Sequence, residues 1–253
     1  MQGLITAAGV GNRAKTGPGL RKVMLPIYDI RHGELVIRPI IDCIIERMEG
    51  LGIRDIITVL DPSDIVTIQY VKSNRAEVSI EYQKERRGFG NAILTASKSL
   101  NGKFLLNAGD GVLLDIESYR ALAESHSSST LALMRVSNPE RYGVAACSSI
   151  GGRTYRIVDV EEKPLHPRSN LALAAAYVLD KGVLDYISKS GKNVELTSAI
   201  ERYIASGNDV NGILLPKNQW LSVGNASDYL RVLGTTHRWA LKKLGADGLV
   251  TGL

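Results

Sequence analysis

Glycines and basic residues near the start of the chain form the pattern with the clearest chemical meaning. Gly9 and Gly11 follow a short apolar strand predicted from Gly3 to Thr6, and Arg13 and Lys22 come shortly afterwards. Because glycine has no Cβ, backbone N–H groups there can approach phosphate oxygens, and the two cations can neutralise a triphosphate. The spacing matches neither the Gly-Lys-Ser/Thr loop nor the three-glycine dinucleotide loop. A phosphate site is therefore the prediction, with a tight turn as the alternative.

Three further motifs carry side chains suited to phosphate or hydroxyl groups. Asp110 comes directly after an apolar strand, where a carboxylate can hold Mg²⁺ against phosphate oxygens. Glu162 can accept hydrogen bonds from hydroxyls, and Lys163 can bind a second phosphate. Gln83, followed by the glycine-rich segment at Gly88, can read the edge of a base. Taken singly, these motifs are also explained by a turn, a solvated strand end and a capped loop.

Composition limits the class of protein. The 253 residues are 44% hydrophobic and 23% charged with a formal net charge of +5, as in an ordinary globular chain able to bury a full core. The basic residues are dispersed among acids, so we expect small anionic ligands rather than nucleic acid. Cys43 and Cys147 are expected to be buried, reduced thiols of a cytoplasmic protein. The sequence has neither a signal peptide nor an apolar segment of roughly 20 residues, so no membrane association is expected.

The order of predicted elements indicates an α/β fold. Strand and helix signals alternate to about residue 115, which is typical of a doubly wound (Rossmann-like) layout. Strands then predominate, indicating a mixed sheet or a β-rich lobe that shares one core with the first part. The predicted strands are Gly3 to Thr6, Ile56 to Leu60, Val78 to Tyr82, Phe104 to Asn107, Thr130 to Val136, Tyr142 to Cys147 and Tyr155 to Val160. The predicted helices are Pro39 to Leu51, a helix capped by Ser63 and ending near Lys72, Asn91 to Leu100, Ile116 to Ser125, Thr197 to Ser206 and Ser227 to Leu244.

In combination, these motifs resemble the sugar-1-phosphate nucleotidyltransferase family, and within it most closely the UTP:glucose-1-phosphate uridylyltransferases. The resemblance covers roughly residues 3 to 230. It is carried by Gly9 to Arg13, Lys22 to Asp29, Gly88 to Ala96, Gly109 with Asp110, Pro139 to Val144, Glu162 to Pro164, Ser169 to Leu179, and Glu195 to Ile200.

The resemblance implies a fold of the nucleotide-diphospho-sugar transferase type, with a β-rich sugar-phosphate-binding lobe. We expect one nucleotidyltransferase domain over residues 1–253, with a nucleotide lobe at about 1–115, a sugar-phosphate lobe at about 116–225 and a C-terminal helix at 226–244. The short tail after Leu244 argues against an appended acyltransferase or repeat domain. Similar enzymes are commonly dimers or tetramers, so a homo-oligomer is expected.

The resemblance also implies a reaction, in which an NTP (UTP or dTTP) and a hexose-1-phosphate, with glucose-1-phosphate expected, give an NDP-sugar and pyrophosphate with the help of Mg²⁺. Arg13 would stabilise the departing pyrophosphate, Lys22 would bind the triphosphate, and Lys163 would orient the sugar phosphate. The implied catalytic residues are Arg13, Lys22, Asp110, which would also be the metal ligand, and Lys163. The implied nucleotide-binding residues are Ala8, Gly9, Gly11, Gln83 and Gly88, and the implied sugar-phosphate-binding residues are Gly143, Glu162, Lys163 and Tyr177.

One departure from the family pattern bears on activity. Ser222 stands where the family usually has an aspartate that is a second protein ligand of the metal. The alternative to an active enzyme is therefore a catalytically weak relative that binds nucleotide or sugar nucleotide as a regulatory or partner subunit. A dinucleotide-dependent oxidoreductase is a more distant alternative. The base, uracil or thymine, and the hexose stay open. No motif contains a histidine, so the four histidines are expected to be surface or structural residues.

Overall fold

The computed structural model describes residues 1–9, 20–187 and 194–246. The strands of these residues are β1 (Gln2–Thr6), β2 (Pro26–Arg31), β3 (Glu34–Pro39), β4 (Ile56–Leu60), β5 (Ser79–Tyr82), β6 (Phe104–Ala108), β7 (Gly111–Leu113), β8 (Ser129–Arg135), β9 (Gly143–Gly151), β10 (Thr154–Glu162), β11 (Leu171–Leu179), β12 (Val210–Leu214) and β13 (Trp220–Ser222). The α-helices are α1 (Ile40–Gly50), α2 (Ile65–Asn74), α3 (Phe89–Thr95), α4 (Ile116–Ala123), α5 (Leu196–Ala205) and α6 (Ala226–Lys243). Short 3₁₀ helices cover Lys22–Met24, Pro139–Arg141 and Lys181–Tyr186.

A mixed sheet in the order β5-β4-β1-β6-β11-β8-β12-β10-β9 organises the described residues. The four strands from β5 to β6 are parallel, as is the pair of β8 and β12. By contrast, β11 is antiparallel to both β6 and β8, and β10 is antiparallel to β12 and β9. The predicted doubly wound mixed sheet is therefore confirmed, and it continues without a break into the β-rich part.

The register of the parallel strands brings their carboxyl ends to one edge of the sheet. Thr6 of β1 pairs with Val59 of β4 on one side and with Ala108 of β6 on the other, and Leu60 pairs with Tyr82. The segments that follow these strands therefore begin side by side. In an open α/β sheet this edge is where ligands bind.

Two apolar layers lie on opposite faces of the sheet, since successive strand residues point to opposite sides. Ile5 and Leu105 contribute to a cluster with α1, α2, α4 and α6, whereas Leu4 and Leu106 contribute to a cluster with α3 and α5. Both layers contain residues from the parallel strands and from the later antiparallel strands, so the two parts share one core. No helix among the described residues is long and apolar enough to cross a membrane.

Most predicted elements are present, with corrections at several boundaries. The cap of α2 is Asp64, whose Oδ1 accepts a hydrogen bond from the Thr67 amide at 3.2 Å, whereas Ser63 Oγ donates to Asp61. The helix predicted from Asn91 to Leu100 begins earlier, at Phe89, and ends at Thr95. The sequence reading missed several strands outright: β2, β3, β7, β11, β12 and β13.

The cysteine prediction was correct for one residue. Cys43 is buried in α1, and burial raises the pKa of its thiol to about 12. Cys147 is free as well, but it is only partly buried, because it lies on β9 at the edge of the sheet. Three of the histidines, His32, His126 and His166, are exposed, and the His237 ring contacts the Tyr28 ring at a centroid distance of 4.7 Å.

A buried carboxylate fixes the β2–β3 hairpin to α1. Asp29 of β2 is 1% exposed and accepts two hydrogen bonds from Arg47, at 2.6 and 2.7 Å. The Nε atom of Arg38, on β3, lies 3.1 Å from Asp29 Oδ2. Burial alone raises the pKa of Asp29, but the hydrogen bond and charge of Arg47, with the charge of Arg38, outweigh burial and lower it. The ionised form is therefore stabilised by folding.

We expect Asp29→Asn to lower the free energy of unfolding by roughly 3–5 kcal/mol at neutral pH, because buried Arg47 loses its carboxylate partner, whereas Arg38 keeps Asp42 and Glu46. Glu117→Gln is the matched control, since its ion pair with Arg120 is exposed and should be worth less than about 1 kcal/mol. Urea denaturation measures both. The pKa of Asp29 is lowered in the fold, so its contribution is present above the unfolded value of about 3.9 and is lost as pH falls through the folded value. A deficit in Asp29→Asn that persists unchanged below pH 3 would contradict the assignment.

Candidate active site

A cavity of about 350 Å³ lies at the carboxyl edge of the parallel strands. Its walls are the segments that follow β1, β5 and β6, together with the 3₁₀ helix that begins at Lys22. The lining residues include Thr6, Ala7, Ala8, Gly9, Lys22, Gln83, Arg86, Gly88, Gly109 and Asp110. Six predicted residues, which come from three separate motifs of the sequence, thus line one cavity.

Lys22 and Asp110 form an ion pair inside this cavity. The distance from Lys22 Nζ to Asp110 Oδ2 is 3.6 Å, and the side chains are 11% and 47% exposed, respectively. The lysine is largely covered because Lys22–Met24 packs against α1, whereas the carboxylate faces the opening. A nearly buried cation beside an accessible carboxylate can bind an anion and a metal ion side by side.

Two glycines shape the cavity wall. A Cβ on Gly109 would lie 2.8 Å from the Cβ of Ala7 and 3.1 Å from the carbonyl oxygen of Thr6, so only glycine allows β1 and β6 to end this close together. Gly88 immediately precedes α3 and has a φ of +99°, a backbone conformation that residues with a side chain rarely adopt. The cavity therefore exposes backbone at both positions.

Arg86 is a cavity residue that the sequence analysis missed. Its Nε donates to Asp61 Oδ2 at 2.6 Å, and the side chain is half exposed. Burial raises the pKa of Asp61, but hydrogen bonds from Ser63 and Arg86 outweigh burial and lower it, so the carboxylate stays charged. The signal in the sequence was the basic run that contains Arg86, which we interpreted as part of a dispersed surface charge.

A second polar cluster lies where β9, β10 and α5 meet. Glu162 Oε2 accepts a hydrogen bond from Thr197 Oγ1 at 2.8 Å, and Glu162 Oε1 lies 3.1 Å from Lys163 Nζ. Gly143 pairs with Glu162 in the sheet, and a Cβ on Gly143 would lie 3.1 Å from Glu162 Oε2. Burial, together with the nearby Glu162 charge, raises the pKa of Tyr177. The four predicted sugar-phosphate residues are thus close together, and Thr197 joins them.

Lys163 has an unusual backbone for a residue with a side chain. Its φ is +47°, in the left-handed region, and its amide donates to the Tyr142 carbonyl at 3.0 Å. Such a conformation costs of order 1–3 kcal/mol and is found preferentially at functional sites. It ends β10 and turns the exposed lysine side chain out of the strand direction.

Backbone hydrogen bonds connect the cluster to the cavity wall. The Val194 amide donates to the Arg87 carbonyl at 2.6 Å, and the Gly90 amide donates to the Val194 carbonyl at 2.8 Å. Val194 lies just before α5, which carries Thr197, while Arg87 and Gly90 flank Gly88 of the cavity. The two groups of residues are therefore neighbours in the fold.

The donors available to a metal ion are few. Asp110 is the accessible carboxylate of the cavity, and the described residues contain no group of three or more metal-binding side chains. Ser222 pairs with Gly111, and the Val223 amide donates to the Asp110 carbonyl at 2.8 Å, so Ser222 lies beside the Asp110 loop. Asp228 is occupied elsewhere, because its Oδ2 accepts hydrogen bonds from the amides of Gly224 and Asn225. One carboxylate suits Mg²⁺ when phosphate oxygens and water supply the other ligands.

Two predicted residues, Gly11 and Arg13, lie outside the described residues. Of the others, the cavity contains Ala8, Gly9, Lys22, Gln83, Gly88 and Asp110, while Gly143, Glu162, Lys163 and Tyr177 form the second cluster.

A cavity lined by glycine backbone and a lysine, at the carboxyl edge of a doubly wound sheet, is typical of the α/β class of nucleotide-binding proteins. Solved structures agree on the fold: a UDP-glucose pyrophosphorylase complexed with UDP-glucose has a TM-score of 0.79 at 22% identity, covering 94% of this chain and 98% of that one. A putative glucose-1-phosphate thymidylyltransferase from Bacillus anthracis has a TM-score of 0.75 at 22% identity, covering 100% of this chain and 98% of that one. Both share the nucleotide-diphospho-sugar transferase fold predicted from the sequence.

The chain belongs to the nucleotidyl transferase family, whose sequence model matches residues 20–238. It is 30% identical to the bifunctional protein GlmU of Methanocaldococcus jannaschii, over 98% of this chain and 56% of the relative. It is 26% identical to a glucose-1-phosphate thymidylyltransferase of Streptomyces griseus, over 92% of this chain and 65% of the relative. A UTP–glucose-1-phosphate uridylyltransferase of Staphylococcus epidermidis is 29% identical, over 79% of this chain and 80% of the relative. The chain thus spans less than two thirds of the length of the first two relatives.

We expect Gly109→Ala to lower the free energy of unfolding by roughly 1–3 kcal/mol, because the new Cβ meets the backbone of β1 rather than a flexible side chain. Gly9→Ala is the matched control: a Cβ on Gly9 meets nothing within 4 Å, so its effect should stay within about 0.5 kcal/mol. Thermal and urea unfolding of both variants provide the measurement. Equal stability of the two would show that β1 and β6 can separate at this edge without cost.

Proposed function

We propose that this protein transfers a nucleotidyl group from UTP or dTTP to a hexose-1-phosphate, with glucose-1-phosphate as the first sugar phosphate to test. The products would be an NDP-sugar and pyrophosphate. The observation that carries the proposal is the adjacency of two sites: a cavity with Lys22, Gln83 and Asp110, and a neighbouring cluster around Glu162 and Lys163. The names of the relatives, which include thymidylyl- and uridylyltransferases acting on glucose-1-phosphate, agree with this choice of substrates.

The cavity would hold the nucleotide. In this proposal Gln83 and Gly88 lie at the base, and the backbone at Ala8 and Gly9 faces the phosphates. Lys22 neutralises the triphosphate from within the fold, where a charge-assisted hydrogen bond is strongest. Gly11 would extend the phosphate loop, and Arg13 would neutralise the pyrophosphate as its charge develops.

The cluster would hold the sugar phosphate. Glu162, oriented by Thr197, accepts hydrogen bonds from sugar hydroxyls, and Gly143 leaves room beside it. Lys163 binds the phosphate monoester and aligns its oxygen with the α-phosphorus of the NTP. A phosphate monoester is already a nucleophile, so in-line displacement needs charge neutralisation and alignment more than a general base. This requirement agrees with a site of lysines and carboxylates without histidine.

Asp110 would hold Mg²⁺ together with the phosphate oxygens of the NTP. When bound, the ion would neutralise charge on the phosphates, which lowers the cost of attack by an anion. Lys22 Nζ, at 3.6 Å from Asp110 Oδ2, keeps this carboxylate from being an isolated negative charge.

A matrix of UTP, dTTP, CTP, ATP and GTP against several hexose-1-phosphates, with pyrophosphate release as the readout, tests the proposal. We expect release only with a uracil or thymine nucleotide and one or a few hexose-1-phosphates. Absence of release for every pair, with nucleotide binding retained, would instead support the second candidate, a nucleotide-binding regulatory subunit. Ser222 in place of a second carboxylate is the observation that favours this candidate.

We expect Lys163→Ala to raise the KM for the sugar phosphate roughly 10- to 100-fold with a much smaller change in the KM for the NTP. The reason is the loss of a charge-assisted hydrogen bond to the second phosphate, worth about 1.5–3 kcal/mol. Lys217→Ala, which removes an exposed lysine outside the cavity lining, is the control. Initial rates with each substrate varied in turn measure the effect. Equal increases for both substrates would refute the assignment of Lys163 to the sugar phosphate.

We expect Ser222→Asp to lower the Mg²⁺ concentration that gives the half-maximal rate, because a carboxylate beside the Asp110 loop adds a ligand. Asp110→Asn should remove most activity. Asp228→Asn is the matched control: Asp228 caps α6, so its removal should lower stability by about 1 kcal/mol without changing the Mg²⁺ requirement. Magnesium titrations of the three variants decide the matter. If Asp228→Asn raised the Mg²⁺ concentration needed for the half-maximal rate and Ser222→Asp left it unchanged, the second ligand would be Asp228.

A further inference from the structure

The amide of Gln83 is the polar group best placed to read a base in the cavity. Gln83 follows β5, and its backbone amide donates to the Leu60 carbonyl at 2.8 Å, which continues the pairing of β5 with β4. The residue is only 5% exposed, yet it lines the cavity. A nearly buried amide has few alternative partners, so the atoms that it presents to the cavity decide what it can bind.

Asn91 determines which of those atoms face the cavity. Gln83 Nε2 donates a hydrogen bond to Asn91 Oδ1 at 2.7 Å, and both side chains are buried. Among the described residues, nothing donates to Gln83 Oε1. Because an amide nitrogen carries two hydrogens, Gln83 retains one N–H donor and its oxygen acceptor for a ligand.

The position of Asn91 is itself fixed by the fold. It lies in the first turn of α3, directly after Gly90, whose amide donates to the Val194 carbonyl at 2.8 Å. A Cβ on Gly90 would lie 2.9 Å from that same carbonyl, so the helix start packs tightly against the segment before α5. The backbone of Asn91 is therefore held at a set distance from the end of β5, which keeps its side chain within reach of Gln83.

We propose that Asn91 is a positioning residue that selects the base by holding the Gln83 amide in one orientation. This inference rests on the proposed function. With its nitrogen turned toward Asn91, Gln83 presents its oxygen to the N3–H of uracil or thymine and its remaining N–H to a neighbouring carbonyl of the base. Cytosine has an acceptor at N3 and an amino group at C4, so its edge would meet an acceptor with an acceptor and a donor with a donor. The amide rejects cytosine unless it rotates, and rotation breaks the bond to Asn91 Oδ1 unless the Asn91 amide rotates with it.

Size and hydrogen bonding have separate effects in this scheme. Guanine presents the same order of donor and acceptor as uracil on a larger ring, so the amide alone does not distinguish the two. UTP and CTP differ only at the edge that Gln83 would read, and their ratio of affinities isolates the contribution of the amide.

Binding of UTP and of CTP, measured by calorimetry in the presence of Mg²⁺, tests the inference. The full chain should bind UTP more tightly than CTP by roughly 10- to 100-fold, since a mismatched buried hydrogen-bonding pair costs that much. Asn91→Ala and Asn91→Ser, whose side chains cannot hold Gln83, should reduce this ratio at least about fivefold. Asn91→Asp should keep the preference for UTP, because a carboxylate only accepts hydrogen bonds and so holds the Gln83 nitrogen in the same direction.

A double-mutant cycle separates positioning from a general structural effect. In the Gln83→Ala background, Asn91→Ala should leave the ratio of UTP to CTP affinity unchanged, because Asn91 would act only through the amide. A loss of folding stability would weaken the binding of UTP and of CTP to the same extent, so it would not change the ratio of their affinities.

The possible failures are distinguishable. If the unmodified protein binds neither UTP nor dTTP, the proposed function fails together with this inference. If it prefers UTP and both Asn91→Ala and Asn91→Ser keep the full preference, only the inference is overturned. A switch of Asn91→Asp to CTP would also overturn it, because the Gln83 amide would then have been held in the opposite orientation.

Discussion

The site depends on the register of three parallel strands. Thr6 pairs at once with Val59 of β4 and with Ala108 of β6, and the Gly109 amide donates to the Thr6 carbonyl at 2.9 Å. A shift of one residue in either pairing would turn every following side chain to the opposite face of the sheet. The close approach at Gly109 leaves no space for such a shift, so the same contact that packs the core also aligns the glycine segment and Asp110 at one cavity.

In the described part of the site, three cations are each paired with a carboxylate of the chain. Lys22 pairs with Asp110, Arg86 with Asp61 and Lys163 with Glu162. These pairs keep flexible side chains near the positions where phosphate would bind, so less side-chain freedom is lost when a ligand arrives. A ligand must also compete with the internal partner, which favours polyanions over single charges. The arrangement therefore suits a triphosphate better than an isolated carboxylate.

Elements and site residues could be predicted from the sequence where a local pattern identifies them. They could not be predicted where residues distant in the sequence come into contact. Short β-branched runs identified β1 and β4, and the glycine and lysine motifs identified most of the cavity lining. The strand β11 was missed because its centre is rich in alanine, which has low strand preference. Thr197 was not predicted as a site residue because its contact with Glu162 joins positions 35 residues apart, and no local spacing encodes that contact.

The replacement of a second carboxylate by Ser222 changes the charge balance of the proposed metal site. The charges of Lys22 and Asp110 cancel, whereas a carboxylate at position 222 would make the protein site negative and attractive to a bare cation. With serine, the cavity offers a lone Mg²⁺ little electrostatic advantage, but it could hold the complex of Mg²⁺ with a triphosphate, whose phosphates would face Lys22 while the ion faced Asp110. Metal and nucleotide would then bind as one unit, so the affinity for the ion would be set mainly by the phosphates. A site of this kind would still align the two substrates, but it would bind Mg²⁺ weakly in the absence of nucleotide.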